Sequence, residues 1–153
     1  MSGDGTETEY LQDYLWERNR EDKNMANATI KAFFPCNVEE VWKVVTSLEN
    51  YQWRSDLSRI EKINDRQFVE YTTEGYPTTF TITETKPYEC WKFDMENGNM
   101  KGHWTGNFTE KDGGTEIVFT EEVTAKKLIM KPFVKVYLKK QQEQYVADLK
   151  RAL

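Results

Sequence analysis

The sequence predicts one α+β domain: an antiparallel sheet of about seven strands, with two short helices after the first strand and a long helix at the C-terminal end. Three observations lead to this fold class. Apolar and polar residues alternate within the segments of residues 57–124, turn residues recur roughly every 10 to 12 positions, and the apolar period becomes helical after residue 125. The 153 residues suffice for one domain with a real core, but not for two ordinary domains.

The N-terminal segment differs from the rest, and we expect residues 1–25 to be an extension outside a domain of residues 26–153. Apolar residues between Tyr10 and Leu15 stand at helical spacing. They indicate a short amphipathic helix, and a disordered segment is the alternative.

The first strand is predicted over residues 28–36, where a proline ends it. Asn37 is a good helix N-cap, and residues 38–48 carry apolar side chains three and four apart, so a helix should follow at once. Residues 50–56, which include Trp53, are expected to form a second short helix or a turn.

Six further strands follow, each ended by a turn signal such as the tight hairpin sequence of residues 112–114. The strands are predicted over residues 57–64, 67–73, 78–85, 88–95, 100–110 and 115–124. Since side chains of a strand alternate between its faces, the apolar set of each strand should point to the interior.

The long helix is predicted within residues 125–153, and Pro132 should either kink it or mark its start. Its expected apolar stripe consists of Leu128, Ile129, Phe133, Val136, Tyr137, Tyr145 and Leu149.

Composition excludes several classes of function. The formal net charge of −5 and the pI of about 5.1 argue against binding of nucleic acid, which needs a positive field. No apolar run approaches the roughly 20 residues of a membrane span. One histidine and two distant cysteines predict no metal site and no cofactor, and reduced thiols favour a cytoplasmic protein.

Four passages, in this order along the chain, resemble the polyketide cyclase/dehydrase and lipid-transport superfamily, also called SRPBCC. They are residues 34–42, residues 48–53, the Gly102–Gly106 strand, and the 113–117 hairpin together with the helix ending at residues 147–150. The resemblance covers about residues 26–153. It implies the START-related helix-grip fold, in which a curved sheet wraps around the C-terminal helix and encloses an apolar pocket.

The resemblance implies little about activity. Members of the superfamily include lipid and hormone carriers, aromatic cyclases, chaperone activators and oxygenase domains, so the fold alone does not determine the function. The histidine and cysteine ligands of a Rieske-type cluster are absent from this sequence.

An internal pocket is the best candidate site, and a solid core made of the same rings is the alternative. Gly102 and Gly106 favour the pocket, because they leave space on the inner face. The residues expected to line it are Trp53, Phe80, Ile82, Trp91, Phe93, Trp104, Phe119, Glu121, Phe133 and Tyr137.

Glu121 is the candidate catalytic residue. Alternation places it on the apolar face between Phe119 and Val123, where burial should raise the pKa of its carboxyl. It would then serve as a general base or hold a ligand hydroxyl or amine. A bulge, a strand end or a lysine partner would instead make it structural. Glu84 has the same parity as Phe80, and the same argument applies to it.

Other polar residues are weaker candidates. His103 should face solvent, because its neighbours alternate the other way. Tyr137 and Tyr145 are expected to be able to donate to a ligand from the helix, and Arg54 and Asp56 are expected to form a surface pair near the rim.

Three functions therefore compete. The first is binding of a small hydrophobic molecule, such as a lipid, an aromatic or a polyketide-like compound. The second is a cyclase or dehydratase that uses Glu121 or a tyrosine for proton transfer. The third is a protein-interaction module with a filled interior and an exposed apolar patch.

Overall fold

The computed structural model describes residues 25–127 and 131–153, together with Leu11. Apart from Leu11, the predicted N-terminal helix lies outside the described residues, as do Leu128 and Ile129. The elements are β1 (Met25–Phe34), α1 (Val38–Thr46), β2 (Leu57–Lys62), β3 (Gln67–Thr72), β4 (Pro77–Lys86), β5 (Cys90–Glu96), β6 (Met100–Lys111), β7 (Gly114–Ala125) and α2 (Lys131–Ala152).

The seven strands form one antiparallel sheet in the order β1-β7-β6-β5-β4-β3-β2. Consecutive strands from β2 to β7 are neighbours, and β1 closes the row by pairing with β7. The α+β fold with a long C-terminal helix is therefore confirmed.

Helix α1 begins where the sequence predicts it. The side chain of Asn37 accepts a hydrogen bond of 2.9 Å from the backbone N–H of Glu40, which satisfies one of the unpaired donors of the first turn. The helix buries Val41, Trp42 and Val45 against the sheet. It ends at Thr46, two residues earlier than expected.

The second short helix is not formed, because residues 51–56 fold into turns. Backbone donors of this segment do not make the i→i−4 bonds of an α-helix: the N–H of Arg54 closes a turn on the carbonyl of Tyr51, and the N–H of Ser55 donates to the carboxylate of Asp148. The segment is thereby fixed to α2 by a side chain 93 residues away.

Helix α2 begins beside Pro132, so this proline marks the transition from loop to helix. It packs mainly on β1 and also touches β7 and α1. The apolar stripe was predicted with the wrong phase in its first turns: Val134 and Leu138 are buried, whereas Phe133 and Tyr137 are exposed. Among the described residues, neither α1 nor α2 is both long enough and apolar enough to span a bilayer.

The interior has two parts. In the first, which we call the packed half, α1 and the C-terminal end of α2 cover β1, β6 and β7. It consists of Phe34, Val38, Val41, Trp42, Val45, Phe108, Ile117 and Leu149, all buried. The second part lies beneath the first half of α2 and contains the candidate site.

Candidate ligand-binding cavity

A continuous surface of rings covers the inner face of the sheet. It is built from alternate residues of β3 to β7, and we call it the aromatic wall. Its members are Phe68, Phe80, Trp91, Phe93, Trp104 and Phe119, and all are buried. Ring centroids lie 4.9 Å apart for Phe68–Phe80, 4.7 Å for Phe93–Trp104 and 4.8 Å for Trp104–Phe119. These separations are those of favourable aromatic pairs.

A cavity of about 710 Å³ lies between the aromatic wall and α2. The 47–57 segment contributes Trp53 to its lining, and α2 contributes Val134, Leu138 and Tyr145. Its volume falls in the range of small-molecule sites. The interior therefore contains both a packed aromatic layer and an open space.

Eight of the ten residues predicted to line a pocket do so. Ile82 and Phe119 do not line this cavity. Ile82 packs against the buried core, and Phe119 borders a separate chamber of about 60 Å³. Whether the eight bind a ligand stays a prediction.

The rim of the cavity carries exposed rings. The side chains of Phe133 and Tyr137 line the cavity and are 69% and 46% exposed, so they lie where it opens to solvent. Such rings remain in contact with water unless the cavity beside them is filled. Phe133 and Tyr137 are therefore apolar residues of α2 that lie outside its buried stripe.

Arg54 pairs with Asp56 as expected, but it lies in the lining of the cavity and not on the surface. Its Nη1 donates to Glu70 Oε2 at 2.8 Å and its Nη2 donates to Asp56 Oδ2 at 2.8 Å. Only 14% of the side chain is exposed, and the guanidinium lies 5.0 Å from the ring centre of Tyr145. Burial works to lower the pKa of Arg54, but the charges of Glu70 and Asp56 outweigh it and raise that pKa.

Glu121 points inward, as alternation along β7 predicts. It pairs with Trp104 on β6 and Ala28 on β1, and its side chain lines both the cavity and the small chamber. Among the described residues its carboxylate has no hydrogen-bond or salt-bridge partner. Burial raises the pKa of this carboxyl to about 7, with Arg54 opposing the shift and Glu70 adding to it.

Tyr145 brings a second polar group to the same region. Its ring packs edge-on against Trp53 at 5.1 Å and against Phe119 at 5.8 Å. Within the described part of the chain its hydroxyl has no hydrogen-bond partner, and burial raises the pKa of the phenol above its usual value. The hydroxyl of Tyr137, nearer the rim, already accepts a hydrogen bond from Gln141 at 2.8 Å.

Asp148 positions this site without lining it. Its fully buried carboxylate accepts 2.8 Å hydrogen bonds from the N–H and Oγ of Ser55 and from Nε2 of Gln144, and also contacts Arg151. Burial opposes ionisation, but these bonds outweigh it and keep the pKa of Asp148 below its usual value. Sequence reasoning missed the role of Asp148 and placed Arg54 on the surface. The available signal was an acidic residue beside Leu149 on the buried stripe.

The prediction that the side chain of Glu84 points into the interior was wrong. The register of β4 and β5 shifts between Ile82 and Glu84, so a bulge reverses the alternation. Glu84 consequently lies on the outer face, where Lys86 and Lys92 pair with it. His103 is on the outer face too, beside Asp94, as predicted.

The inner-face glycines do not create the cavity. A Cβ atom on Gly106 would lie 2.4 Å from Cη2 of Trp104, and one on Gly102 would lie 2.4 Å from the backbone oxygen of Glu122. The space at Gly106 is thus filled by an indole ring, and the space at Gly102 by the neighbouring strand. Among the described residues, no three His, Cys, Asp or Glu side chains come together as a metal site requires.

An antiparallel sheet around a C-terminal helix, with a cavity between them, defines a START-like protein of the helix-grip type. The chain belongs to the polyketide cyclase/dehydrase and lipid transport family, whose model matches residues 25–153. No curated protein matches the sequence significantly.

Solved structures share the fold at low identity. A START superfamily protein from Mycobacterium smegmatis is 14% identical, with a TM-score of 0.70 over 84% of this chain and 95% of that one. A conserved protein from Geobacillus kaustophilus is 16% identical, with a TM-score of 0.69 over 84% and 93%. DynU16, from the dynemicin biosynthetic locus, is 13% identical, with a TM-score of 0.64 over 82% and 46%. These likenesses establish the fold alone.

Proposed function

We propose that this protein binds a small, largely apolar molecule in the cavity, with a polar group of the ligand directed toward Glu121 and Tyr145. The observation that carries the proposal is the 710 Å³ space between the aromatic wall and α2. Polycyclic aromatic or polyketide-like compounds suit it, because flat rings can stack on Phe93 and Trp104.

The energetics favour such a ligand. Each 100 Å² of apolar ligand surface removed from water contributes about 2.5 kcal/mol. The wall itself is preorganised, since its rings are held by one another and by the sheet. Little ordering is therefore needed on binding. The family's description, which includes lipid transport, is consistent with a carrier role.

A second candidate function is catalysis of a cyclisation or dehydration. It is favoured by the carboxyl of Glu121, which has no hydrogen-bond partner among the described residues and whose pKa of about 7 suits a group that must both accept and return a proton. The interaction-module hypothesis is less well supported, because it requires a filled interior. If the second function holds, a ligand recovered from the protein should lose water or change its ring count on incubation with it, and Glu121→Gln should abolish that change.

The first experiment is native mass spectrometry of the full chain, followed by denaturing extraction of any retained compound. Binding is then measured with N-phenyl-1-naphthylamine, a neutral apolar probe whose fluorescence rises on leaving water. We expect saturable binding with one site per chain.

A matched pair of variants locates the site. Thr78 lines the cavity, whereas Thr79, the next residue of β4, is exposed on the outer face. Thr78→Trp should fill the cavity and weaken probe binding at least about tenfold, while Thr79→Trp should leave it unchanged. Equal affinities for both variants would disprove binding in this cavity.

A further inference from the structure

The charges around the cavity are strongly unbalanced. Among the described lining residues, Arg54 is the single cation, whereas Asp56, Glu70, Glu74 and Glu121 are acidic. The net charge of the cavity lining is therefore negative whether or not Glu121 is ionised. A ligand bearing a carboxylate or phosphate would enter a field of its own sign.

Arg54 has few hydrogen-bond donors left for an anionic ligand. Four contacts engage its guanidinium: Nε and Nη2 donate to Asp56, and Nη1 and Nη2 donate to Glu70. This geometry directs the cation to its own carboxylates, leaving almost no donor for an anionic head group. Glu121, by contrast, faces the cavity with its acceptor oxygens unused by the described residues.

We propose that the ligand carries a protonated amine that forms an ion pair with Glu121 while its apolar part lies on the aromatic wall. This inference rests on the proposed function and names the chemical class of the ligand. The neighbouring rings support it: Trp104 is the cross-strand partner of Glu121, and Trp53 and Tyr145 line the same cavity. The faces of such rings attract cations.

The proposal predicts a pH dependence of binding. The pKa of Glu121 is about 7, because burial disfavours its charged form. The titratable or charged groups around it are Arg54 and Asp56 of the turn segment, Glu70 of β3, and Tyr137 and Tyr145 of α2. A bound ammonium stabilises the carboxylate, so affinity for an amine that stays charged should be roughly tenfold higher at pH 8 than at pH 6.

Three probes of nearly equal shape test the amine. They are 1-naphthylmethylamine, 1-naphthylmethanol and 1-naphthoate, titrated calorimetrically into the full-length protein at pH 8. We expect the amine to bind at least about tenfold more tightly than the alcohol, and the carboxylate to bind most weakly. Alcohol affinity equal to that of the amine, or tightest binding of the carboxylate, would overturn the amine inference while leaving the cavity proposal intact. Failure of all three to bind would overturn both.

Variants of adjacent residues assign the effect to Glu121. Glu121→Gln removes the charge and should bring the amine-to-alcohol affinity ratio close to one. Glu122→Gln is the matched control, because Glu122 is the next residue of β7 and is exposed on the outer face. An unchanged ratio in Glu121→Gln, or equal amine affinity at pH 6 and pH 8, would refute the role of this carboxylate.

Discussion

The packed half of the interior and the part that contains the cavity, which we call the cavity half, are built from similar side chains. The packed half is solid, whereas the cavity half encloses open space. In the packed half, Val41, Ile117 and Leu149 are completely buried, and Trp42 meets Phe108 at 5.0 Å between ring centres. In the cavity half, equally large rings leave about 710 Å³ open. The difference lies in what covers the sheet, because two helices meet over the packed half whereas α2 and the 47–57 segment cover the other.

This contrast shows that an aromatic-rich face does not by itself determine whether a domain has a solid core. The aromatic wall packs well along its own surface, and its sheet is continuous with that of the packed half. Only the side of the aromatic wall that faces α2 lacks a close-packed neighbour. A cavity can therefore exist without voids within the wall itself.

The largest expected effect concerns the packed half. Trp42→Ala should lower the free energy of unfolding by about 3–5 kcal/mol, because it removes a buried ring where the surroundings cannot collapse. The loss is measured by urea denaturation at constant m-value. Trp53→Ala is the comparison in the cavity half, where the ring is partly exposed and borders open space. It should cost less stability but weaken binding of N-phenyl-1-naphthylamine; equal costs would contradict the distinction between the halves.

Glu121→Gln should stabilise the protein at high pH. The folded carboxyl, with a pKa of about 7, binds its proton more tightly than the unfolded one, whose pKa is near 4.5. The folded state therefore loses stability as pH rises from about 4.5 to 7, by a total on the order of 3 kcal/mol. The variant should abolish this decline, so its advantage should be full at pH 8 and absent below pH 4.5.

Urea titrations at pH 5 and pH 8 measure this advantage. Glu122→Gln serves as the control: it removes an exposed carboxyl but keeps Glu121, so it should lose stability between the two pH values as the wild type does. If wild type and Glu121→Gln lose stability in parallel between the two pH values, the carboxyl of Glu121 does not carry the predicted cost.

Asp148→Asn has the smallest effect of the three on stability, about 1–3 kcal/mol, and it acts on the boundary between the halves. The amide group cannot accept all the hydrogen bonds that Ser55, Gln144 and Arg151 donate, so buried donors are left unpaired. The turn segment that carries Trp53 and Arg54 should loosen, with a measurable fall in affinity for N-phenyl-1-naphthylamine. Asp65→Asn is the control, because its side chain is fully exposed. Unchanged stability of Asp148→Asn would contradict the anchoring role.

Much of the fold could be predicted from the sequence, because its strands alternate regularly and its turns are marked by local residues. The same regularity placed Glu121 inside, since β7 pairs without interruption with β6 from Gly114 to Ala125 and with β1 from Thr115 to Thr124. Alternation failed at Glu84, where a bulge adds one residue. No local pattern announces such a bulge.

The rest of the site depends on distant contacts. Arg54 can be buried because Asp56 and Glu70 neutralise its charge. Asp148 holds the neighbouring Ser55 in place. The sequence separations of these pairs follow no helical or strand period, so the sequence pattern does not predict them. The phase of α2 was misjudged because Phe133 and Tyr137 face a cavity mouth. A stripe of apolar residues predicts burial only where something covers it.

The pairing of β1 with β7 has a consequence for how the chain folds. Residues 25–34 find their partners at residues 115–124, so β1, which is synthesised before the other six described strands, waits for β7. Until then both of its edges expose unpaired backbone groups, whereas β2 to β6 can assemble hairpin by hairpin. Closing so long a loop is slow, in the range of milliseconds to seconds for topologies rich in distant contacts. Hydrogen-exchange pulse labelling during refolding should accordingly find β1 protected last, together with α2, which packs mainly on that strand.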